Sequence, residues 1–345
     1  MAKLFFLLSG EHNDLPASEL RAVLAAEGFA YKVSEKLDQV IRLDAEMGCV
    51  EAVKRRAAFT KVCGLEFFRC EAKVSTIAKM MRTVNLDGAL AEKQDFAVRV
   101  KRVKNYSSSI REMALERTLG RLTLEKNPRA RVNLKNPSRV FMGVLTQTKF
   151  VFGLKLADIS AKPFVERRPR RKPFFHPSAM QAKLARCMVN LARPKAEDLV
   201  FDPFCGTGST LIEASLIGCR TLGVDIQRRM ARGTKRNLEH FKIRPDGILV
   251  ADMRCPPITR VDCIVTDPPY GTSSTTLKRT TRQIVEELLN VAREMLASKG
   301  RVCMASPKTL GIVRIGVMLG YKHLESHFVY VHRSLTREIV VFEKV

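Results

Sequence analysis

The fold of this 345-residue chain follows from one stretch, Leu199-Val-Phe-Asp-Pro-Phe-Cys-Gly-Thr-Gly-Ser-Thr210, and its continuation to Thr221-Leu-Gly-Val-Asp225. An apolar, strand-like run ends in Asp202, and a turn with two glycines follows it. A helical pattern over 209–217 then leads to a second strand-like run that ends in Asp225. Strand, glycine turn, helix and strand in this order are the repeating unit of a parallel α/β sheet.

The same alternation extends on both sides of this stretch. Periodicity predicts helices at 178–193, 227–241, 281–297 and 308–319, and strands at 248–252, 263–267, 301–306, 323–332 and 337–343. From about Phe174 onward we therefore predict a Rossmann-like, doubly wound α/β domain. Its ligand should lie beyond the carboxyl ends of the strands.

The first half of the chain shows a different pattern, an α+β mixture of short strands and helices. A strand at 3–8, a helix that ends near Gly28 and strands at 30–33 and 40–43 are typical of a ferredoxin-like unit. Helices at 74–82 and 107–121 then mix with strand runs at 96–103, 130–133, 140–144 and 149–156. We predict an N-terminal ferredoxin-like domain at 1–55, a second α+β domain at 56–156, a basic linker at 157–175 and the α/β domain at 176–345.

The positive charge of the chain is concentrated in one segment. The formal net charge is +25, of which 96–175 carries +15, whereas the first 95 residues are neutral. A localised cationic surface attracts a polyanion, and the absence of Trp argues against a stacking platform for single strands. We expect a folded RNA recognised through backbone and shape. The predicted RNA contacts are Lys101, Arg102, Lys104, Arg167, Arg168, Arg170 and Arg171.

Several classes of protein are disfavoured. No apolar run approaches the roughly 18–20 residues of a membrane-spanning helix, so we expect a cytoplasmic protein with no membrane partner. The nine cysteines contain no Cys-x-x-Cys pair, and no carboxylate or cysteine cluster accompanies the histidines. We therefore predict reduced thiols and no metal site.

Four predicted strands of the α/β domain end in an aspartate: Asp202, Asp225, Asp252 and Asp267. Gly206 and Gly208 let a ligand approach the backbone closely. A phosphate-binding P-loop is excluded because no Gly-Lys-Ser/Thr follows, and Leu211 replaces the third glycine of the dinucleotide fingerprint. Asp225 is placed to accept ribose hydroxyls and Asp252 to meet an adenine amine, which predicts an adenosine-cofactor pocket.

The motif Asp267-Pro-Pro-Tyr-Gly271 carries the chemistry. A carboxylate and a proline carbonyl form an acceptor pair for the two N–H bonds of an amino group, and Tyr270 offers a face on which a flipped base stacks. Because the lone pair of an exocyclic amine is conjugated into its ring, holding both protons between acceptors returns electron density to the nitrogen. This pattern predicts methyl transfer to an exocyclic amine without a metal.

With these two motifs the chain resembles the class I S-adenosylmethionine-dependent methyltransferases, and Asp267-Pro-Pro-Tyr resembles the signature of their amino-methylating branch. Phe175-His-Pro177 upstream, and a front half with Val132-Asn-Leu-Lys-Asn-Pro137, are similar to the archaeal tRNA (guanine-10) N2-methyltransferase family. The resemblance implies that residues 56–156 form a THUMP domain that holds tRNA. It also implies S-adenosyl-L-methionine as the cofactor.

The resemblance assigns roles residue by residue. Asp267 and the Pro268 carbonyl hold the guanine amine, and Tyr270 stacks on the base. The implied cofactor-binding residues are His176, Pro177, Asp202, Gly206, Gly208, Asp225 and Asp252. Cys205, although next to the glycine turn, is expected to pack rather than to react, because cytosine-C5 methylation places a cysteine elsewhere.

Other functions remain open from the sequence. The nearest are guanine N2-methylation at tRNA position 6 or in ribosomal RNA, then DNA adenine-N6 methylation, and lastly an RNA-binding module with a vestigial pocket. Eukaryotic members of the resembled family work with a small zinc-binding activator subunit, which makes such a subunit a candidate partner beside tRNA. We expect a monomeric core. The number of methyl groups transferred stays open.

Overall fold

The computed structural model describes residues 1–269 and 279–345, and these form two compact units. The first unit comprises Met1–Glu11, Phe29–Lys54 and Thr60–Ile159. The second comprises His12–Gly28, Arg55–Phe59 and Ser160–Val345. Two short pieces of the N-terminal region therefore belong with the C-terminal half of the chain.

The elements of the first 158 residues are, in chain order, β1 (Ala2–Leu8), α1 (Leu15–Ala26), β2 (Tyr31–Leu37), β3 (Val40–Ala45), α2 (Cys49–Arg56), β4 (Thr60–Glu71), α3 (Val74–Thr83), β5 (Asp95–Arg102), α4 (Glu112–Lys126), β6 (Arg131–Val132), β7 (Arg139–Thr146) and β8 (Lys149–Asp158). The eight strands form one sheet in the order β2-β3-β1-β4-β8-β7-β5-β6. Strands from both sides of residue 55 share this sheet. The assignment of 1–55 and 56–156 to ferredoxin-like and THUMP domains stays a prediction.

Aromatic packing forms the core of the first unit. Phe68, Phe96, Phe141, Phe150 and Phe152 are buried in one cluster with apolar residues of α3 and α4. The alternation of apolar and polar residues along β4 presents one face to this cluster. Burial of several phenylalanines supplies a large apolar area for one sheet.

The second unit continues with α5 (Lys162–Glu166), α6 (Ala182–Ala192), β9 (Leu199–Asp202), α7 (Ser209–Ser215), β10 (Arg220–Asp225), α8 (Arg228–His240), β11 (Gly247–Val250), β12 (Val261–Thr266), α9 (Thr281–Met295), β13 (Leu296–Pro307), α10 (Ile312–Met318), β14 (Tyr321–His332) and β15 (Leu335–Lys344). The described strands form a seven-stranded sheet in the order β11-β10-β9-β12-β13-β15-β14. Strands β9 to β13 pair in parallel, and β15 is antiparallel to both of its neighbours. The predicted Rossmann-like α/β fold is confirmed.

The strand order reverses between β9 and β12, and this reversal places the ligand site. From β9 the chain adds β10 and β11 on one side, and it then returns to place β12 and β13 on the other. Loops that leave two such strands diverge and open a crevice at the carboxyl edge of the sheet. The glycine turn follows β9 and Asp267 follows β12, so both open into this crevice.

The N-terminal helix α1 packs on α6 within the second unit. Ten of its twelve residues are buried, and Leu15 and Ala22 share a core cluster with residues of α6. The sequence pattern places this helix in a ferredoxin-like unit, whereas the compact units divide the chain differently. A helix buried on nearly all sides needs cover from more than the strands next to it in sequence.

Candidate active site at the carboxyl edge of the second sheet

Asp202, the last residue of β9, ties the glycine turn to the end of β12. Its buried carboxylate accepts hydrogen bonds from the Phe204 N–H at 3.1 Å, from Thr266 Oγ1 at 2.7 Å and from the Thr210 hydroxyl. Burial raises the pKa of Asp202 to about 6, and the nearby charge of Asp267 also raises it. The side chain therefore holds both edges of the crevice together, and its predicted role in cofactor binding stays a prediction.

The glycine turn is shaped by two left-handed residues and by Asp225. Gly206 and Gly208 have φ of +54° and +77°, which other residues adopt only with strain. A Cβ on Gly208 would lie 2.9 Å from Thr234 Cγ2. The Asp225 carboxylate accepts the Gly206 N–H at 3.0 Å and the Gln227 N–H at 2.9 Å. Burial raises the pKa of Asp225.

Asp252 lies two residues beyond the end of β11 rather than at its end. Its carboxylate is 2.7 Å from the Arg254 guanidinium, accepts the Arg254 N–H at 3.0 Å and lies 3.8 Å from Arg279. The hydrogen bond from Arg254 lowers the pKa of Asp252. The carboxylate is therefore ionised and already engaged by arginine, and its contact with an adenine amine stays a prediction.

Asp267 directly follows β12 and meets a residue that the sequence analysis did not single out. Its Oδ2 lies 3.0 Å from a guanidinium nitrogen of Arg337 on β15, and Pro268 beside it is buried. Tyr270, predicted to stack on the base, lies outside the described residues. The structure thus brings Asp267-Pro268, the glycine turn and Arg337 to the carboxyl edge of the second sheet.

These residues suit an adenosine cofactor that carries an amino-acid moiety. The turn lacks Cβ atoms at its two left-handed positions, and each Asp225 oxygen accepts one backbone N–H and keeps capacity for ribose hydroxyls. Among the described residues no group of three or more His, Cys, Asp or Glu side chains is arranged to hold a metal ion.

Comparison with known proteins gives the family. The tRNA (guanine(10)-N2)-dimethyltransferase of Methanothermobacter thermautotrophicus is 36% identical, and the alignment covers 99% of this chain and 100% of that protein. The enzyme of the same name from Methanocaldococcus jannaschii is 33% identical over 99% of both chains. This chain belongs to the tRNA (guanine(10)-N2)-dimethyltransferase family. The family that the sequence motifs indicate is confirmed, and membership makes the protein an S-adenosylmethionine-dependent methyltransferase.

Family models and solved structures agree on the fold of this family member. A model described as an RMKL-like methyltransferase domain matches residues 169–337. A second, described as a DNA methylase, matches 90–236, a range that includes the glycine turn and excludes Asp267. TrmN from Thermus thermophilus aligns with a TM-score of 0.56 at 19% identity, covering 99% of this chain and 100% of that one. SMU.472, solved as a complex with SAH, aligns with a TM-score of 0.54 at 13% identity, covering 99% and 98%.

The segment before α6 is anchored to the glycine turn. Asn237 of α8 accepts the Phe174 N–H at 2.8 Å and donates through Nδ2 to the Phe174 and Thr207 carbonyls at 2.9 and 3.0 Å. Half-buried His176 lies two residues further on, with Nδ1 2.7 Å from Ser178 Oγ, and Pro177 is exposed. Asn237 thus links the segment to the turn, and contact of His176 and Pro177 with the cofactor stays a prediction.

Two cations of the basic linker point inward. Arg167 forms a bidentate pair with buried Glu213 at 2.7 and 3.1 Å, and Arg186 lies 2.9 Å from the same carboxylate. Buried Lys172 donates to Ser209 Oγ at 2.7 Å, directly after Gly208. Burial lowers the pKa of Lys172 to about 8. Arg167 and Lys172 therefore support the glycine turn and α7 from inside the second unit.

The other predicted RNA contacts differ in their availability. Lys101, Arg168, Arg170 and Arg171 are exposed. The side chain of Lys104 is exposed and lies 2.7 Å from Asp38. Arg102 donates to the carbonyls of Tyr106, Ser107 and Ile110 and so braces the turn after β5. Contact of any of them with RNA stays a prediction.

No local sequence pattern indicates that Arg337, Lys172 and Asn237 belong to the site. Lys172 and Arg167 share a run of basic residues, and composition cannot separate buried members of such a run from exposed ones. Arg337 lies near the beginning of an apolar strand, and only the pairing of β15 with β13 brings it to the crevice. Cys205 is buried and burial raises the pKa of its thiol, as suits a packing residue.

Proposed function

We propose that this protein methylates the exocyclic N2 amine of guanosine 10 in tRNA, first once and then a second time. One observation carries the proposal: Asp267-Pro268 leaves β12 at the point where the strand order reverses, beside the glycine turn after β9. That arrangement supports a role for Asp267 and Pro268 as acceptors for an amine that faces a cofactor bound at the glycine turn. The archaeal relatives, aligned over nearly the whole chain, carry this substrate in their names.

The amine is activated by acceptors. The Asp267 carboxylate and the Pro268 carbonyl accept the two N–H bonds of the guanine amine, and Tyr270 stacks on the base. Both acceptors polarise the N–H bonds and raise the electron density on nitrogen. After methyl transfer the nitrogen releases its extra proton to Asp267 or to water. Positioning and fixed charges therefore supply the rate enhancement.

The residues around the glycine turn would hold the cofactor. S-adenosylmethionine supplies a methyl group on a sulfonium sulfur when bound. Asp225 would accept hydrogen bonds from the ribose hydroxyls, Gly206 and Gly208 would leave room for the amino-acid moiety, and Asp252 would accept a hydrogen bond from the adenine amine. His176 and Pro177 would line the methionine end. Asp202 connects the two walls by accepting hydrogen bonds from the Thr210 and Thr266 hydroxyls.

The proposal is tested with an unmodified tRNA transcript and methyl-labelled S-adenosylmethionine. We expect label in N2-methylguanosine and N2,N2-dimethylguanosine, and its loss when guanosine 10 is replaced by adenosine but not when guanosine 6 is replaced. Label that follows guanosine 6, N2-methylguanosine formed in ribosomal RNA, or N6-methyladenine formed in duplex DNA would contradict the proposal. Activity of the purified chain alone would show that no zinc-binding activator subunit is required.

Asp267→Ala should slow methylation strongly while leaving cofactor binding intact. Loss of a charge-assisted acceptor in the reacting site lowers the rate constant by roughly 100-fold or more. The measurements are single-turnover methylation and the dissociation constant for S-adenosylhomocysteine. Asp246→Ala is the control, because Asp246 pairs with Arg220 at the opposite edge of the same sheet. A fully active Asp267→Ala protein would rule out the assigned role.

A further inference from the structure

Strands β14 and β15 form a C-terminal hairpin, and Arg337 of β15 forms an ion pair with Asp267. The Arg337 guanidinium nitrogen is 3.0 Å from Asp267 Oδ2, and the side chains are 13% and 18% exposed. In the register of the sheet, Arg337 lies opposite Pro307, the last residue of β13, and opposite Val329 of β14. The antiparallel direction of β15 therefore brings the beginning of that strand to the carboxyl edge.

We propose that Arg337 is a positioning and specificity-determining residue of the target-base site, which selects guanine by holding the Asp267 carboxylate in its ionised form. This inference rests on the proposed function. It adds a residue from the C-terminal hairpin to a site otherwise built from loops after parallel strands.

The charges around Asp267 show why a neighbouring cation is needed to keep its carboxylate ionised. Asp202 on the neighbouring strand is a buried carboxylate, and its pKa is raised to about 6, mainly by burial and in part by the charge of Asp267. Two carboxylates that repel one another favour protonation of one of them. Arg337 opposes this repulsion from the β15 side. Two arginines near the crevice are engaged elsewhere: Arg254 with Asp252, and Arg279 with Asp252 and Glu287.

The protonation state of Asp267 determines whether its carboxyl group matches the hydrogen-bonding edge of guanine or that of adenine. An ionised carboxylate only accepts hydrogen bonds. Guanine presents two adjacent donors, N1–H and the N2 amine, which match the two carboxylate oxygens. Adenine presents an amine next to the N1 lone pair, so an ionised carboxylate meets one donor and one repulsive acceptor. A neutral carboxyl has one donor and one acceptor and suits adenine.

Arg337 also orients the carboxylate. Hydrogen bonds between ions are short and directional, and a guanidinium on one edge of a carboxylate limits its rotation. The neighbouring strand residues Pro307 and Val329 flank the arginine on both sides in the sheet register. Lysine at this position would keep the charge but orient the carboxylate less well.

The test compares Arg337→Met and Arg337→Lys with a matched pair on the same two strands. Arg301 of β13 and Glu343 of β15 form an ion pair at 2.9 Å with side chains 20% and 18% exposed, at the far end of β15. Arg301→Met is therefore the control for removal of a half-buried ion pair in this sheet. All variants are assayed as full chains with transcripts that carry guanosine or adenosine at position 10, together with the S-adenosylhomocysteine and tRNA dissociation constants.

We expect Arg337→Met to lower the single-turnover rate on guanosine by about 10- to 100-fold, which is the range for one charge-assisted hydrogen bond, with both dissociation constants nearly unchanged. The ratio of guanosine to adenosine methylation should fall by at least about tenfold. Arg337→Lys should recover part of the rate and most of the ratio. Arg301→Met should behave as the wild type in every kinetic measurement.

Several results would overturn the inference. An unchanged rate and base ratio in Arg337→Met would show that the pair has no part in recognition. An equal loss in Arg301→Met, or a rate loss without any change in base ratio, would reduce Arg337 to a structural role. If Arg337→Met does not fold, Arg337→Gln takes its place, and a wild-type rate and base ratio in that variant would count against the inference equally. A wild type that does not label tRNA guanosine refutes the proposed function and this inference together, whereas an active wild type isolates the Arg337 result.

Discussion

At the scale of single residues, Lys172 is a charged side chain that is buried next to the glycine turn. Its ammonium donates to Ser209 Oγ at 2.7 Å and lies in the field of Glu213 and Arg167. Burial favours the neutral amine, so the pKa of Lys172 falls from 10.5 to about 8. A lysine in a run of basic residues that suggests phosphate binding is therefore an internal support of the glycine turn.

The buried amine predicts a pH dependence of stability. Between pH 8 and 10.5 the unfolded chain keeps a proton on Lys172 that the folded chain has released, so the free energy of unfolding rises with pH in that window. Lys172→Met removes this dependence. The stability of the variant relative to the wild type should therefore fall by about 2 kcal/mol between roughly pH 7.5 and pH 10. Urea unfolding at both pH values measures the difference.

Lys235→Met in α8 is the control for this prediction, because Lys235 is exposed. Its stability relative to the wild type should be the same at both pH values. A pH-independent difference for Lys172→Met as well would mean that the ammonium is solvated through an opening beside Ser209.

At the scale of elements, a buried network of hydrogen bonds connects α1 to α6. Glu19 of α1 accepts the Ala58 and Phe59 N–H groups at 2.9 and 2.8 Å, and it accepts a hydrogen bond from Asn190 Nδ2 of α6 at 2.9 Å. Asn190 Oδ1 in turn accepts a hydrogen bond from Arg56. Burial raises the pKa of Glu19. One side chain thus satisfies three donors from two distant segments.

Glu19→Ala should destabilise the second unit strongly. It leaves three buried donors without an acceptor, which lowers the free energy of unfolding by about 3 kcal/mol or more. Glu19→Gln keeps an acceptor oxygen and should cost less. Denaturant unfolding of the full chain measures both, with Glu239→Ala on the exposed face of α8 as a control expected to change stability by less than about 0.5 kcal/mol. Equal stabilities of the Ala variants at 19 and 239 would show that water replaces the carboxylate.

At the scale of the whole molecule, much of the excess charge belongs to the stretch 96–175, and part of it is internal. Arg167 and Lys172 are engaged inside the second unit, whereas Arg168, Arg170 and Arg171 are exposed. The field that attracts RNA therefore comes from fewer side chains than the count of +15 suggests. No helix within 1–269 or 279–345 has the length and apolar character needed to cross a membrane.

Replacing Arg168, Arg170 and Arg171 by serine should weaken tRNA binding and flatten its salt dependence. For every phosphate that the variant no longer neutralises, the slope of log K against log salt becomes shallower by roughly 0.7–0.9. Filter binding over roughly 50–200 mM salt gives the slope. Serine at Lys32, Lys79 and Lys93, exposed residues of the neutral first segment, is the control. Equal slopes for both triple variants would place the RNA elsewhere.

Local patterns are sufficient to predict the catalytic frame. The strand 199–202 has the bounds that periodicity predicts, and the glycine turn and Asp267-Pro-Pro motif follow their strands within one residue. Such features depend on residues next to each other in the chain, where backbone sterics and side-chain alternation act directly. Fold class, cofactor class and family can therefore be inferred from the sequence alone.

Distant partners emerge only in the three-dimensional arrangement. Asp202 and Thr266 are 64 residues apart, Arg337 reaches Asp267 through the register of β15 on β13, and α1 leaves its own strands to pack on α6. No local pattern encodes these pairs, because sheet register and helix packing follow from the summed burial of many side chains across the unit. The sequence thus specifies which groups are predicted to react, and long-range packing specifies which charges surround them.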